Sequence, residues 1–270
     1  MDANTMTAPD SDAKSALRMK VARMNMSAER DCVPSGRVRS RYIICSTPRS
    51  GSTLLSDYLL ASGMAGAPYD YFNESHLAAF SERFGRPVAD LGTFMAQIEE
   101  FRTSAQGVFG MKAHYRQTAA LLRTPDLMTQ FLRRFGKIIR IIRRDKVAQA
   151  VSAYKALESG FWTHRHEELS ETVPPAPAYN AARIAECLSQ GFSEEQGWLA
   201  ALRLAGQDAI TVAYEDLVSD PDRTLAAVFS YLEIPAFLPI RLQPSLRRQA
   251  DRSNARYRAQ FLADIEGKPA

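Results

Sequence analysis

Residues 46–55 read Ser-Thr-Pro-Arg-Ser-Gly-Ser-Thr-Leu-Leu, and this stretch decides the fold. The apolar run Tyr42-Ile43-Ile44-Cys45 precedes it, and the apolar residues that follow, through Leu60, are spaced as on a helix. The pattern predicts a buried strand, a tight loop and a helix, in that order. Such a loop presents the helix N-terminus, with its unpaired N–H groups and the positive end of its dipole, to a bound anion.

The side chains of this loop also favour an anionic ligand. Gly51 allows a tight turn and a close approach of the backbone. Arg49 adds a fixed charge with forked donors, and the hydroxyls of Ser50, Ser52 and Thr53 add further donors. A simple capped helix start would explain one hydroxyl, but not an arginine, a glycine and three hydroxyls together. We therefore predict that the loop cradles phosphate or a similar anion.

Two familiar phosphate loops do not fit. A Walker A motif requires an earlier glycine and a Gly-Lys pair, and neither is present. A cysteine-phosphatase loop starting at Cys45 would require an arginine six positions later, where the chain has Gly51, and Arg49 comes too early.

Further strands and helices alternate along the chain. Short apolar runs at 107–111, 138–142 and 209–213 predict three strands in addition to the one at 42–45, and helical patterns separate them. Alternation of this kind is typical of a parallel sheet with helices on both faces. We predict an α/β fold, a three-layer sandwich with a central parallel sheet and the ligand at the carboxyl ends of the strands.

Composition narrows the class of protein. The chain has 270 residues, 46% of them hydrophobic and 24% charged, which is ordinary for a globular protein with a sizeable core. A net charge of +4 suits an anionic ligand but is too small and too dispersed to indicate a nucleic-acid partner. No apolar run approaches the length of a transmembrane segment, and no secretory signal is recognisable. These features predict a cytoplasmic protein without a transmembrane segment.

The cysteines and histidines indicate neither a disulfide framework nor a metal site. The three cysteines do not form a disulfide framework or a CxxC pair, and the four histidines match no metal-binding pattern. We therefore expect no metal. Residues 1–38 are polar and charged, with some helical periodicity from Ser15 to Met26, and we predict that they form a flexible or loosely docked N-terminal extension to a single domain at 39–270.

Two motifs together resemble a known enzyme family. Pro48-Arg49-Ser50-Gly51-Ser52-Thr53 is similar to the 5′-phosphosulfate loop of sulfotransferases, most of all to that of the bacterial trehalose 2-sulfotransferases and their lipopolysaccharide-sulfotransferase relatives. Arg143-Arg144-Asp145 at a strand end, followed by Gln149-Ala150-Val151-Ser152 on a helix, resembles their 3′-phosphate site. The resemblance implies a P-loop-like sulfotransferase fold and 3′-phosphoadenosine-5′-phosphosulfate (PAPS) as the sulfuryl donor. It also implies a carbohydrate or glycolipid acceptor and a homodimer.

The resemblance implies roles for the cofactor-binding residues. Arg49, Ser50, Gly51, Ser52 and Thr53 would hold the 5′ end of PAPS, with Arg49 stabilising the charge on the leaving phosphate. Arg143 and Ser152 would hold the 3′-phosphate, although the spacing in animal cytosolic sulfotransferases favours Arg144 instead of Arg143. A C-terminal Arg-Gln segment makes Arg248 a further nucleotide contact.

The catalytic base has two principal candidates. Asp70 occupies the place where the trehalose sulfotransferase family has a glutamate base, and Glu74 nearby is a weaker third candidate. His114, in Lys112-Ala113-His114, resembles the base of cytosolic sulfotransferases, and its ordinary pKa suits proton abstraction at neutral pH. Lys112 would neutralise the sulfuryl oxygens. We favour Asp70 because the family resemblance points to it.

Two other functions compete with sulfuryl transfer. A P-loop nucleotide phosphotransferase would show Gly-Lys-Ser/Thr and a Walker B carboxylate, neither of which is evident. A non-catalytic nucleotide- or glycan-binding protein on the same fold would not need Arg49, Arg143, Ser152 and a base candidate together.

Overall fold

Four parallel strands form the centre of the molecule. The computed structural model describes residues 8–32, 37–85, 88, 90–235 and 252–267. The strands are β1 (Ser40–Ser46), β2 (Val108–His114), β3 (Lys137–Ile142) and β4 (Ile210–Ala213), in the spatial order β2-β1-β3-β4 with every pairing parallel. All four coincide with the apolar runs from which the sequence predicts strands.

Helices connect and flank these strands. They are α1 (Ala8–Met26), α2 (Ser52–Ala61), α3 (Glu74–Phe84), α4 (Leu91–Arg102), α5 (Tyr115–Leu122), α6 (Pro125–Leu132), α7 (Lys146–Ser159), α8 (His164–Leu169), α9 (Ala181–Ala205), α10 (Tyr214–Ser219), α11 (Pro221–Tyr231) and α12 (Arg252–Ile265), with a 3₁₀ turn at Ala28–Arg30. None of the helices in the described ranges has the length and apolar character needed to cross a membrane.

Both faces of the sheet are buried. Successive side chains of a strand point to opposite faces, so Ile43 and Cys45 of β1 enter one apolar cluster while Tyr42 and Ile44 enter another. Helices α4, α6 and α9 contribute to the first cluster, and α2 and α11 contribute to the second. The predicted three-layer α/β sandwich with a central parallel sheet is confirmed.

The strand order fixes where a ligand can bind. In the order β2-β1-β3-β4, the chain moves to one side of β1 and then to the other, so a crevice opens at the carboxyl ends of β1 and β3. The loop at 47–51 follows β1, and Arg143 follows β3. The two motifs that are about 90 residues apart in sequence therefore meet at one edge of the sheet.

The N-terminal segment is helical and packed over residues 8–26. Of the two predicted states, flexible or docked, these residues have the docked one: α1 packs against α3 and α8, and its side chains Leu17, Val21, Ala22 and Met26 are buried. An ion pair between Arg23 and Glu82 of α3 (2.7 Å) and a hydrogen bond from Arg83 Nη1 to the Met26 carbonyl oxygen (2.9 Å) add polar contacts. The apolar stripe is narrow and interrupted by charged residues, which is why the composition alone indicates an unpacked segment.

Candidate active site

A cavity of about 1020 Å³ opens at the carboxyl ends of β1, β2 and β3. Its volume lies at the upper end of the roughly 300–1,000 Å³ found for ligand sites, which leaves room for two ligands side by side. Most of the residues that the sequence singles out line this one cavity: Arg49, Gly51, Ser52, Thr53, Asp70, Lys112, His114, Arg143 and Ser152.

The loop after β1 has the tight geometry that its sequence predicts. Arg49 and Gly51 both have left-handed backbone, with φ of 62° and 94°, and Gly51 is the N-cap of α2. A Cβ atom on Gly51 would lie 2.5 Å from Tyr214 Cδ2, so glycine is required here by space as well as by backbone conformation. The first N–H groups of α2 have no intrahelical acceptor and are available to an anion.

Two buried contacts hold this loop in place. Gln149 Nε2 on α7 donates to Thr47 Oγ1 and to the Pro48 carbonyl oxygen, both at 2.8 Å. Trp198 Nε1 on α9 donates to the carbonyl oxygen of Ser46 at 2.9 Å. Neither residue has a role predicted from the sequence, although Gln149 belongs to the 149–152 motif that resembles a 3′-phosphate site.

Arg49 connects the two predicted halves of the donor site. Its Nε donates to Ser152 Oγ at 2.9 Å, and its Nη1 donates to the Trp162 carbonyl oxygen. Burial, together with the nearby positive charge of Arg143, lowers the pKa of Arg49 to about 10, so the guanidinium remains charged at neutral pH. Two like charges held this close in a partly buried cavity favour the binding of an anion between them.

Arg143 and Arg144 lie in different environments. The Arg143 guanidinium lies 4.8 Å from the centroid of the Tyr214 ring and lines the cavity. Arg144 is exposed and forms a bidentate ion pair with Asp216, with both N–O distances at 2.6 Å. Of the two arginines that the sequence leaves open, Arg143 is the one that faces the predicted ligand.

Ser50, Glu74 and Arg248 are not among the predicted residues that the structure groups around the buried part of the cavity. Ser50 is fully buried under the loop and does not line the cavity; its Oγ makes no hydrogen bond within the described part of the chain. Its N–H donates to the Thr47 carbonyl oxygen at 3.3 Å, so this residue shapes the turn and does not present its hydroxyl to a ligand. Glu74 lines the cavity but is exposed in the first turn of α3, and Arg248 lies outside the described residues.

Asp70 is a buried carboxyl at the other end of the cavity. Only 6% of it is exposed, and burial raises its pKa to about 6 despite the opposing effect of Lys112. The Gln117 amide, with its nitrogen turned toward Asp70, donates to Oδ1 and Oδ2 at 3.0 and 3.1 Å. Asp70 is therefore largely ionised at neutral pH yet poised close enough to neutrality to accept a proton.

His114 lies beside Asp70, so the two base candidates are neighbours in the same part of the cavity. Its Nε2 is 3.6 Å from Asp70 Oδ2, which is too long for a hydrogen bond. Ser46 Oγ donates its single proton to the Ala113 carbonyl oxygen at 3.0 Å, so it accepts from His114 Nδ1, also at 3.0 Å. The Nε2 lone pair therefore faces Asp70, and burial together with Lys112 lowers the pKa of His114 to about 3.

Lys112 links the anion loop to the buried carboxyl. Its Nζ donates to Thr53 Oγ1 at 3.2 Å, and its backbone pairs with Asp70 in an isolated parallel bridge, with Lys112 N donating to the Tyr69 carbonyl oxygen at 2.9 Å. Burial lowers the pKa of Lys112, and the charge of Asp70 opposes that shift. The ammonium group thus lies between the place for an anion and the place for a base.

No cluster of three or more histidine, cysteine, aspartate or glutamate side chains that could hold a metal ion occurs within the described ranges. The charge-stabilising groups at this site are arginine, lysine and backbone N–H donors. Such an arrangement stabilises developing negative charge without rearrangement of the protein.

These features are typical of one class of protein: an α/β group-transfer enzyme with a cationic loop beside a buried carboxyl group. The family follows from the sequence of the whole domain. The family model described as Stf0 sulphotransferase matches residues 41–264, and the chain belongs to this family; it is a sulfotransferase. The family resemblance carried by the two motifs is confirmed.

Individual proteins agree with this assignment. The chain is 28% identical over 258 residues to trehalose 2-sulfotransferase of Mycobacterium tuberculosis, a match covering 81% of this chain and 94% of that protein. It is 26% identical over 260 residues to trehalose 2-sulfotransferase of Mycolicibacterium smegmatis, a match covering 83% of this chain and 95% of that protein. Among solved structures, the sulfotransferase domain from the curacin biosynthetic pathway has a TM-score of 0.46 and 21% identity, with 80% of each chain covered.

Proposed function

We propose that this sulfotransferase transfers a sulfuryl group from PAPS to a hydroxyl of a carbohydrate or glycolipid acceptor. The donor is the one used by sulfotransferases of this type, and the site carries the cations that its phosphates require. The sugar acceptor is supported by the two trehalose 2-sulfotransferases, each of which aligns with more than four-fifths of this chain.

The position of Lys112 carries the proposal. An in-line transfer needs a cation at the transferred group, an anion site on one side of it and a base on the other. Lys112 reaches Thr53 of the loop through Nζ and lies beside Asp70 through its backbone bridge. A site that only binds a nucleotide would need the loop but not the buried carboxyl and the lysine between them.

The donor half of the site suits PAPS. Gly51 lines the cavity at the first turn of α2, where the helix N–H groups can meet a phosphate, and Arg49 offers its charge from the same loop. Arg143 and Ser152 would hold the 3′-phosphate, the group that distinguishes this nucleotide from ADP. When bound, PAPS supplies an activated sulfuryl group and leaves as adenosine 3′,5′-bisphosphate. Arg49 stabilises the negative charge that develops on the departing 5′-phosphate.

The acceptor half requires one proton acceptor. Asp70, with a pKa of about 6, is mostly ionised at neutral pH and is a competent base for an acceptor hydroxyl. His114, with its pKa lowered to about 3, is neutral but a weak base. We assign proton abstraction to Asp70, with Gln117 orienting the carboxylate and His114 filling the space beside it.

Nucleotide binding tests the proposal directly. Calorimetric titration without metal should show tight binding of adenosine 3′,5′-bisphosphate and weaker binding of ADP and ATP, by a factor on the order of 10–100 for the charged contacts that ADP lacks. The Arg143→Ala variant should lose this preference and the exposed Arg144→Ala variant should keep it. Equal binding of all three nucleotides, or Mg²⁺-dependent preference for ATP, would instead favour a nucleotide phosphotransferase.

Gly51→Ala should weaken both the fold and the binding of the bisphosphate. The added methyl group meets Tyr214 Cδ2 at 2.5 Å, and Tyr214 also supports Arg143. We expect a loss of about 1–3 kcal/mol in the free energy of unfolding, measured with urea. We also expect roughly tenfold weaker binding of the bisphosphate.

Gly63→Ala is the matched control for this change. Gly63 also has positive φ (66°), but no atom lies within 4 Å of the added Cβ. Gly63→Ala should therefore lower the free energy of unfolding by about 1 kcal/mol, from backbone strain alone, without any change in nucleotide affinity. Equal nucleotide affinity in both variants would mean that the close packing of Gly51 against Tyr214 does not shape the nucleotide site.

A homodimer and a cytoplasmic location belong to the same proposal and stay predictions from the sequence. Gel filtration with light scattering would measure the first.

A further inference from the structure

Helix α1 lies outside the region that the family model matches, yet it forms part of the cavity wall. The matched region begins at residue 41, whereas Arg18, Val21, Ala22 and Asn25 of α1 line the cavity on the side of Asp70. Helix α1 is held there by its contacts with α3 and α8. An element outside the matched region therefore contributes to the wall of the cavity.

Asn25 is the polar centre of this wall. It is 7% exposed, and its side chain contacts two other elements: Nδ2 lies 3.1 Å from His76 Nε2 on α3, and Oδ1 accepts from Arg165 Nη1 on α8 at 2.9 Å. Arg165 also forms an ion pair with Asp57 of α2, at 3.5 Å. The Asn25 amide thus joins α1 to α3 and α8, and Arg165 extends this contact to α2.

The direction of each hydrogen bond can be deduced. His76 Nδ1 lies 2.7 Å from the Asp70 carbonyl oxygen, which can only accept, so Nδ1 carries a proton. Burial lowers the pKa of His76 to about 4, so the ring is neutral at neutral pH and Nε2 has a lone pair. Nε2 therefore accepts from Asn25 Nδ2, and Asn25 Oδ1 accepts from Arg165. The chain of donors runs from Arg165 through Asn25 and His76 to the backbone of Asp70.

We propose that Asn25 is a positioning residue for sulfuryl transfer: acting through His76, it fixes the backbone of Asp70 and so the place of the base relative to the acceptor. The inference rests on the proposed function, in which Asp70 takes the proton of the acceptor. It gives α1 a role in the reaction that the family match does not include. Because His76 donates to the Asp70 carbonyl oxygen, loss of the Asn25 amide loosens the backbone that carries the carboxylate, whereas Arg143 and Ser152 of the donor half are not members of this chain of hydrogen bonds.

The primary test separates turnover from donor binding. With trehalose as the probe acceptor, Asn25→Ala and the isosteric Asn25→Asp should lower kcat roughly 10- to 100-fold, the range expected for a misplaced catalytic group. The Kd for adenosine 3′,5′-bisphosphate should stay within about twofold of the wild type. Asn25→Asp keeps an acceptor for Arg165 but has no donor for His76, so it tests the decisive bond even if the alanine variant folds poorly.

Met26→Ala is the matched control on the same helix. Met26 is 2% exposed in the apolar cluster and does not line the cavity, so its truncation loosens α1 without removing a member of the polar chain. It should lower Tm and leave kcat near the wild-type value. The double variant Asn25→Ala, His76→Ala should lose no more activity than the more severe single variant, because the two residues act in series.

A second readout does not depend on the acceptor. Histidine-selective ¹⁵N labelling, with His76→Gln for assignment, should show the Nδ1-protonated tautomer of His76 in the wild type and a change of protonation in Asn25→Asp, where a carboxylate attracts a proton to Nε2. An Nε2-protonated His76 in the wild type, or Asn25 variants with the same kcat as Met26→Ala, overturns the inference. A wild type that binds no bisphosphate would instead contradict the proposed function.

Discussion

Arg49→Ala should lower kcat of sulfuryl transfer by a factor on the order of 10²–10³, the usual loss when one preorganised donor to a developing negative charge is removed. Arg49 is the loop cation that contacts Ser152 and the Trp162 carbonyl oxygen, and its charge remains in place at neutral pH because its pKa is lowered only to about 10. Initial rates with saturating donor and acceptor measure the effect.

Two further variants distinguish the charge from the backbone. Arg49 has a left-handed φ of 62°, which glycine adopts without strain, so Arg49→Gly removes the guanidinium while relaxing the loop. It should be as inactive as Arg49→Ala. Arg144→Ala, which removes an exposed arginine paired with Asp216, should retain nearly full activity. Retention of more than about a tenth of the wild-type rate by Arg49→Ala would contradict the role of Arg49, because tenfold corresponds to only about 1.4 kcal/mol.

The parts of the fold that could be predicted are those with a local cause. The strands at 42–45 and 138–142 are apolar on both faces because helices cover both, and this leaves a clear pattern in the sequence. The loop at 46–55 is equally local, since its turn, its helix N-terminus and its charge lie within ten residues. The different environments of Arg143 and Arg144 are not visible in the local sequence. They depend on Tyr214, which packs against Arg143, and on Asp216, which pairs with Arg144, and both lie more than 70 residues away.

The rest of the site depends on packing that no short pattern specifies. Gln149 acts on the loop only because α7 crosses beneath residues 47 and 48. Ser50 was predicted as a ligand from its residue type, yet the turn that makes the loop tight directs it into the interior. Helix α1 was misjudged because its buried stripe is short and its partners, α3 and α8, are distant in sequence.

The two base candidates illustrate the same limit. Sequence analysis treats Asp70 and His114 as alternatives, because they belong to motifs of different sulfotransferases. The structure places the two side chains next to each other, with His114 Nε2 3.6 Å from Asp70 Oδ2. The two motifs therefore bring a base candidate to the same position in the cavity. What distinguishes them is the effect of burial, which raises the pKa of the Asp70 carboxyl and lowers that of the His114 imidazole.

Asp70→Asn should therefore lower kcat by about 10²–10⁴, the range for loss of a general base, while the Kd for adenosine 3′,5′-bisphosphate stays unchanged. The asparagine has the same shape and can still accept from Gln117, so the loss reports the proton acceptor itself. His114→Gln, the matched change beside it, should cost much less, because a neutral imidazole with a pKa of about 3 contributes little as a base.

The dependence of the rate on pH gives the decisive comparison. Asp70 acts as the ionised form, and its pKa is raised to about 6, so wild-type kcat should rise as pH increases through about 6 and level off above it. His114→Gln should keep this step, and Asp70→Asn should lose it together with most of the rate. If the step near pH 6 persists in Asp70→Asn and disappears in His114→Gln, then the base is His114, and the charge of Asp70 does not set the pKa of that imidazole.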